Sequence, residues 1–204
     1  MKFALICLGI FVVSYIIGSF PTGYIAVKVF KGEDIRTIGS GSTGATNVKR
    51  VLGKRGFFGV LLIDAIKGFI PVFASQYFEK RLGISSAIGI LPIIASVAVI
   101  IGHSRSIFLK FTGGKSVATL AGVGLALDWR VAVTCYIYFA IVAYVSKYIS
   151  LASVTVLAVM TFMMWFVGRP LPYLIFCLFA TIYVIYLHRE NIKRLINGTE
   201  NKVR

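Results

Sequence analysis

The chain reads as an all-α polytopic membrane protein, a single domain of about seven transmembrane helices, and three observations carry that reading. Of its 204 residues, 58% are hydrophobic and only 14% charged. The mean hydropathy is +0.87, whereas a soluble domain of this length needs far more polar surface. The apolar residues arrive in long blocks, as contact with lipid requires, and Lys and Arg gather in alternate connections between those blocks.

The first block runs from about Phe3 to Phe30 and is interrupted by Gly18-Ser19-Phe20-Pro21-Thr22-Gly23, where a Pro and two Gly predict a kink near one membrane face. The apolar pattern resumes at Tyr24 and the cleavage-like context is weak, so this is expected to be an uncleaved first span. A polar stretch from Lys31 to Gly56 follows. The second block is Phe57 to Phe78, with a polar turn at Glu79 to Ser86. The third is Ala87 to Gly102, then a loop from His103 to Ser116. The fourth, Val117 to Leu127, has only 11 residues, a helix of about 17 Å against a hydrocarbon core of about 30 Å. Asp128-Trp129-Arg130 ends it. The fifth block is Val131 to Val145, the sixth Ser150 to Val167 and the seventh Leu171 to Leu187, before a polar tail from His188 to Arg204.

Block four could turn back as a re-entrant segment, but charge argues for seven crossings. That topology places 15 basic residues on one side and 5 on the other, a strong positive-inside asymmetry with the N-terminus outside and the C-terminus cytoplasmic. The short fourth span then needs extra helical residues, local thinning or neighbouring protein.

The net charge of +15 follows from this topology, and no nucleic-acid-binding motif accompanies it. Cys7, Cys135 and Cys177 lie inside apolar blocks with no Cys-x-x-Cys pair, so neither disulfides nor a metal site is expected, and no cofactor is implied. A Gly-x-Ser-x-Gly elbow is missing. So is His-x4-Asp, because Phe108 and Lys193 occupy the fifth positions after His103 and His188.

Three polar segments carry candidate chemistry. Gly39-Ser40-Gly41-Ser42-Thr43-Gly44-Ala45-Thr46-Asn47-Val48-Lys49-Arg50 combines glycines, which let backbone N–H groups converge on an anion, with hydroxyl and amide side chains. Arg50 could grip phosphate with a bidentate fork. The plain alternative is a flexible connector. Gly113-Gly114-Lys115-Ser116 opens the fourth helix, joining free N–H groups, the positive helix end and a cation. Here the plain alternative is an N-cap beside a topology-setting Lys. His103 and Arg105 begin that loop. In the tail, His188 and Asn191 are three apart and share a helix face, and Glu190 could pair with Arg194. Asp64 and Lys67 sit inside the second block, either as a buried ion pair or lining a substrate site.

Taken in order, Gly39-Ser40-Gly41 with Gly44-Ala45-Thr46-Asn47-Val48, then Gly113 to Thr119, then His188-Arg189-Glu190-Asn191-Ile192 resemble the bacterial acyl-phosphate-dependent glycerol-3-phosphate acyltransferases, the PlsY family. Gly18 to Gly23 and Asp64-Ala65-Ile66-Lys67-Gly68 are similar to that family as well. The resemblance implies transfer of an acyl group from acyl phosphate to glycerol 3-phosphate at the cytoplasmic side of the bacterial inner membrane, giving 1-acylglycerol 3-phosphate. It assigns catalytic roles to Ser40, Arg50, Lys115, His188 and Asn191. Substrate contacts are expected from these and from Gly41, Thr46, Asn47, His103, Gly113, Gly114 and Ser116, the last departing from a Gly that the family often carries. Glu190, Asp64 and Lys67 are expected to be structural or lining residues. The partners implied are the two phosphorylated substrates and membrane lipid. A transporter of a phosphorylated solute would share the basic loops, but it should show polar residues along several spans.

Overall fold

The computed structural model describes residues 1–83 and 89–202, so the end of the Glu79 to Ser86 turn, the start of the third block and the last two residues lie outside the described residues. Within them are nine α-helices, two short 3-10 turns and no strand. They form two compact units, one from the described residues of Met1–Ser86 with Ile90–Leu127, the other from Gly89 with those of Asp128–Arg204.

The first unit holds α1 (Lys2–Ser19), α2 (Thr22–Lys31), α3 (Ala45–Arg81), α4 (Ile90–Ser104) and α5 (Val117–Leu127). The predicted break falls between α1 and α2. Pro21 has no N–H to give and drives the residue before it out of the helical region, and Phe20 accordingly sits at ψ 117. The polar stretch from Lys31 to Gly56 is more structured than its composition suggests. It contains a 3-10 turn at Ile35–Thr37, and α3 already begins at Ala45, broken at Gly53 by a backbone (φ 67, ψ −160) that an L side chain resists. Tertiary burial explains this, since Val27, Ile35, Ala45, Val48 and Val60 close into one apolar cluster. Asp34 caps the 3-10 turn and holds the Arg36 guanidinium with both carboxylate oxygens, while Arg36 also lies over Tyr24.

Close helix crossings pass over small residues. A Cβ on Gly18 would strike the backbone of Val99, one on Gly102 the backbone at Tyr15, one on Gly68 that of Thr119 and one on Gly122 that of Ala65. These contacts pack α1 on α4 and α3 on α5. They also account for the short fourth helix. Thr119 lies at Gly68, Gly122 at Ala65, and Gln76 donates to the Ala126 carbonyl, so α5 is matched to a few turns of α3 rather than to its whole length. The opposite face of α3 presents exposed Leu62, Ile66, Ile70, Phe73 and Tyr77 at helical spacing, as a lipid-facing stripe would.

The second unit holds α6 (Trp129–Ser146), α7 (Ile149–Phe166), α8 (Leu171–Leu187) and α9 (Arg189–Ile196). Helix α7 packs against both α6 and α8, and α9 rests on α7 and α8. The segment read as a polar tail from His188 therefore begins with a helix, bent by 65° from α8. Asp128 caps α6, takes the guanidinium of Arg130, and accepts two hydrogen bonds from Arg169 in the α7–α8 connection. Against the cost of its burial, those bonds hold its carboxyl well below the usual carboxylate range.

Among the described residues four segments are long and apolar enough to cross a bilayer: Lys2–Lys31, Ala45–Arg81, Trp129–Ser146 and Ile149–Phe166. A fifth is added if α8 and α9 count as one bent span, while α4 and α5 are shorter apolar helices.

Candidate active site

The first Gly-rich loop is held from inside by Asn47. Its side chain, 2% exposed, donates to the carbonyls of Ile38 (2.8 Å) and Ser42 (3.0 Å), reaches that of Ile35, and accepts the Ser40 N–H at 3.1 Å. Asn47 was expected to touch substrate. The structure gives it a different position, with the amide engaged by the loop it shapes, because a buried amide must satisfy both ends. Ser40 and Thr46 stand exposed at the surface and Gly41 is half-buried. The exposed Arg50 lies over Gly39, its Nη1 2.7 Å from where a Cβ would stand. The loop thus places Arg50 over Gly39, next in the chain to Ser40, on a turn that Asn47 holds from inside.

The second loop is built on His103. This residue falls in the last turn of α4 rather than in the loop, and it is buried. Its carbonyl accepts the Gly114 N–H at 3.1 Å, and a Cβ on either Gly113 or Gly114 would collide with it. An isolated antiparallel bridge between Ser106 and Thr112 closes the loop, and Ser106 Oγ donates to the Ser19 carbonyl at the α1–α2 break. Ser116, expected as a substrate contact, is instead fully buried at φ 62 and donates to the Ile100 carbonyl at 2.8 Å. It anchors the start of α5 to α4. Lys115, between the buried Gly114 and Ser116, is half-buried.

Beneath this loop, Asp64 and Lys67 form the expected pair at 2.8 Å, and Lys67 also donates to the Phe20 carbonyl at 2.8 Å. His103 Nδ1 lies 3.8 Å from Asp64 Oδ1. Thr43 of the first loop and Ser106 of the second border the same narrow cleft as these three groups. Both Gly-rich loops therefore sit around one polar core of the first unit.

In the second unit His188 is buried, and its Nδ1 is 2.9 Å from the Val184 carbonyl. A carbonyl only accepts, so Nδ1 carries a proton and donates it to this bond. Asn191 donates to Glu200 Oε1 at 2.6 Å. Glu190 is 58% exposed and lies 3.5 Å from Lys193 and 3.7 Å from Arg189, whereas Arg194 turns to Glu200 at 2.7 Å. Glu200, with its side chain 7% exposed, is the more buried carboxylate of this segment. Sequence reasoning passed over Glu200. The signal was there, in an acid two residues past a Gly within a basic tail; Gly198 makes the turn (φ 69) that carries the chain back to Asn191. Despite its burial, hydrogen bonds from Asn191 and Arg194 keep the Glu200 carboxyl below its ordinary value.

Among the described residues no group of three or more His, Cys, Asp or Glu side chains is placed to hold a metal ion.

Residues 8–198 match the family model described as glycerol-3-phosphate acyltransferase. A glycerol-3-phosphate acyltransferase of Nostoc sp. is 45% identical, the alignment covering 97% of this chain and 92% of that protein. That of Rippkaea orientalis is 42% identical over 94% of this chain and 90% of its own. Among solved structures, PlsY (YgiH), an integral membrane glycerol 3-phosphate acyltransferase in its glycerol 3-phosphate form, superposes with a TM-score of 0.89 at 35% identity, covering 97% of this chain and 96% of that one. Its lysophosphatidic acid form superposes at 0.86 with 33% identity, over 97% of this chain and 95% of that one. With the family model spanning nearly the whole chain and relatives this similar along most of their length, the chain belongs to the glycerol-3-phosphate acyltransferase family of integral membrane proteins.

Proposed function

We propose that the protein transfers an acyl group from acyl phosphate to a hydroxyl of glycerol 3-phosphate, releasing inorganic phosphate and 1-acylglycerol 3-phosphate. The observation that carries this reading is the pair of Gly-rich loops, one ending at Arg50 and the other at Lys115, braced around one polar core in a member of this family. The solved relative is named in glycerol 3-phosphate and lysophosphatidic acid forms, which are the acceptor and product of such a transfer.

The chemistry suits a site poor in carboxylates. An acyl phosphate is already activated, so positioning and charge neutralisation are the main tasks. Arg50, Lys115 and the Ser40 hydroxyl supply positive charge and a donor for two phosphorylated substrates, while the N–H groups of Ser40, Gly41 and Gly114 hold the loops in shape. The glycerol oxygen attacks the acyl carbonyl, the C–O bond to phosphate breaks, and phosphate departs with the electron pair. The hydroxyl proton goes to a substrate phosphate. His188 and Asn191 orient the glycerol by hydrogen bonds. A His188→Ala protein that binds both substrates normally yet loses all turnover would make His188 the base instead.

The protein acts as a single acyltransferase domain in the bacterial inner membrane, with seven crossings, the N-terminus outside, and the C-terminus and active site cytoplasmic. The charge asymmetry of the loops supports this topology. Cysteine-accessibility mapping that placed the His103 and His188 ends on opposite faces would overturn it.

The test of function is direct. Purified protein given acyl phosphate and labelled glycerol 3-phosphate should form lysophosphatidate, and acyl-CoA alone should give little or none. No product, together with flux of glycerol 3-phosphate into vesicles, would replace the enzyme by a transporter.

A further inference from the structure

Asp64, Lys67 and His103 are each more than nine-tenths buried among membrane helices. Three ionisable groups are an expensive way to pack helices, and apolar side chains of similar volume would do it at least as well. Their geometry points to another use. Lys67 Nζ lies 2.8 Å from both the Phe20 carbonyl, which it bonds, and Asp64 Oδ1. The same Asp64 oxygen faces His103 Nδ1 at 3.8 Å. The opposite edge of that imidazole, Nε2, is what a Cβ on Gly114 would strike, and the His103 carbonyl takes the Gly114 N–H. The groups therefore run in series from the α1–α2 break to the Gly-Gly-Lys loop. Together with Thr43 and Ser106 these groups wall a narrow cleft, so the cluster can act through the backbone it supports.

We propose that Asp64, Lys67 and His103 are positioning residues that seat the Gly113–Gly114 backbone for anion binding, with the His103 ring as the surface on which the loop rests. This deepens the reading of that loop as part of the glycerol-phosphate site. Two adjacent glycines leave a backbone free to wander, and ordering it only when the anion arrives would weaken binding. A ring packed against the loop removes that freedom beforehand. Asp64 faces the Nδ1 edge of the ring at 3.8 Å, and Lys67 cancels a carboxylate charge that would otherwise repel the incoming anion.

The test is a double-mutant cycle on the purified full chain in detergent. Equilibrium binding of labelled glycerol 3-phosphate and acyl-transfer kinetics are both read. Gly114→Ala should weaken binding about 10-fold, because its methyl meets the imidazole. His103→Asn should also weaken it, raising KM for glycerol 3-phosphate while kcat at saturation stays within about threefold. The double variant should bind as well as His103→Asn alone, since the shorter side chain makes room for the methyl. His103→Gln, which restores a polar group near the Nε2 position, should recover part of the affinity. Lys67→Met should raise KM, and Asp64→Asn/Lys67→Met should reverse most of that rise. If the single variants are not monodisperse, this charge-neutral pair provides the same comparison. Additive losses in the cycle, a fall in kcat with KM unchanged, or no binding of glycerol 3-phosphate by the parent protein would each overturn the proposal. Parent protein that binds, shows the coupling and yet forms no lysophosphatidate would keep this inference and remove the acyltransferase reading.

Discussion

Replacing Glu200 by Ala tests whether one carboxylate holds the third motif in place. The Glu200 side chain is 7% exposed and accepts from Asn191 Nδ2 at 2.6 Å and Arg194 Nε at 2.7 Å. Hydrogen bonds to a charged group contribute about 1.5–3 kcal/mol each. Arg194 is 37% exposed, so its share belongs at the low end after solvent screening. The two together give about 3 kcal/mol. For a chain of this length that corresponds to a fall in Tm of roughly 6–12 °C. Turnover should fall as well, because Asn191 loses the group that fixes its amide. Glu200→Gln keeps an oxygen for Asn191 but loses the charge on Arg194, and should retain about half the stability. The carboxyl is held below its ordinary value in the folded protein. Its stabilising effect is therefore complete above the unfolded value of 4.5 and is lost as pH falls through the lower folded value, a dependence Glu200→Gln should lack. The assay is thermal melting in detergent from pH 7 to pH 3, with acyl transfer at pH 7. A Glu200→Ala protein that melts within about 1 °C of the parent, with unchanged turnover, would refute the reasoning.

Gly122→Ala should destabilise by about 1–3 kcal/mol, because its methyl meets the Ala65 carbonyl and pushes α5 from α3. Gly124→Ala, with nothing within 4 Å, should be neutral or stabilising by up to about 1 kcal/mol; equal melting shifts for the two would contradict the packing described. Arg50→Lys should cost about 10-fold in kcat/KM, since an ammonium cannot form the bidentate fork, and full activity would remove Arg50 from the phosphate site. Bonded by Arg36, Asp34 has its pKa lowered to about 2 from an ordinary 3.8, so its contribution is present above about pH 4 and lost as pH falls through about 2. Exposure of the pair limits that contribution to under about 1 kcal/mol. Asp34→Asn should flatten this part of the melting profile, and an unchanged acid response would show the pair to be inert.

The sequence by itself determined the helical class, most of the helix positions and the family. Apolar block length and loop charge are set residue by residue against the lipid, so blocks four and seven coincide with α5 and α8 to the residue. Pro21 and its neighbouring glycines announced the break in the first span because their effect on the backbone is local. The motif residues were legible for a similar reason, since glycines, cations and hydroxyls in short spans declare anion chemistry without reference to the rest of the chain. Their division of labour was not legible. Asn47 and Ser116 look like ligands in the sequence, but they are buried and bonded to backbone carbonyls that only the folded chain brings within reach. The family resemblance marked Glu190 as structural, while the carboxylate that Asn191 bonds is Glu200, brought to it by a turn at Gly198. Asp64 and Lys67 were legible as a pair from their spacing, but His103 joined them only when α3 and α4 packed together. Backbone propensity and lipid contact are properties of neighbours in sequence. Which polar group meets which depends on long-range packing, and that pairing emerges only when the helices come together.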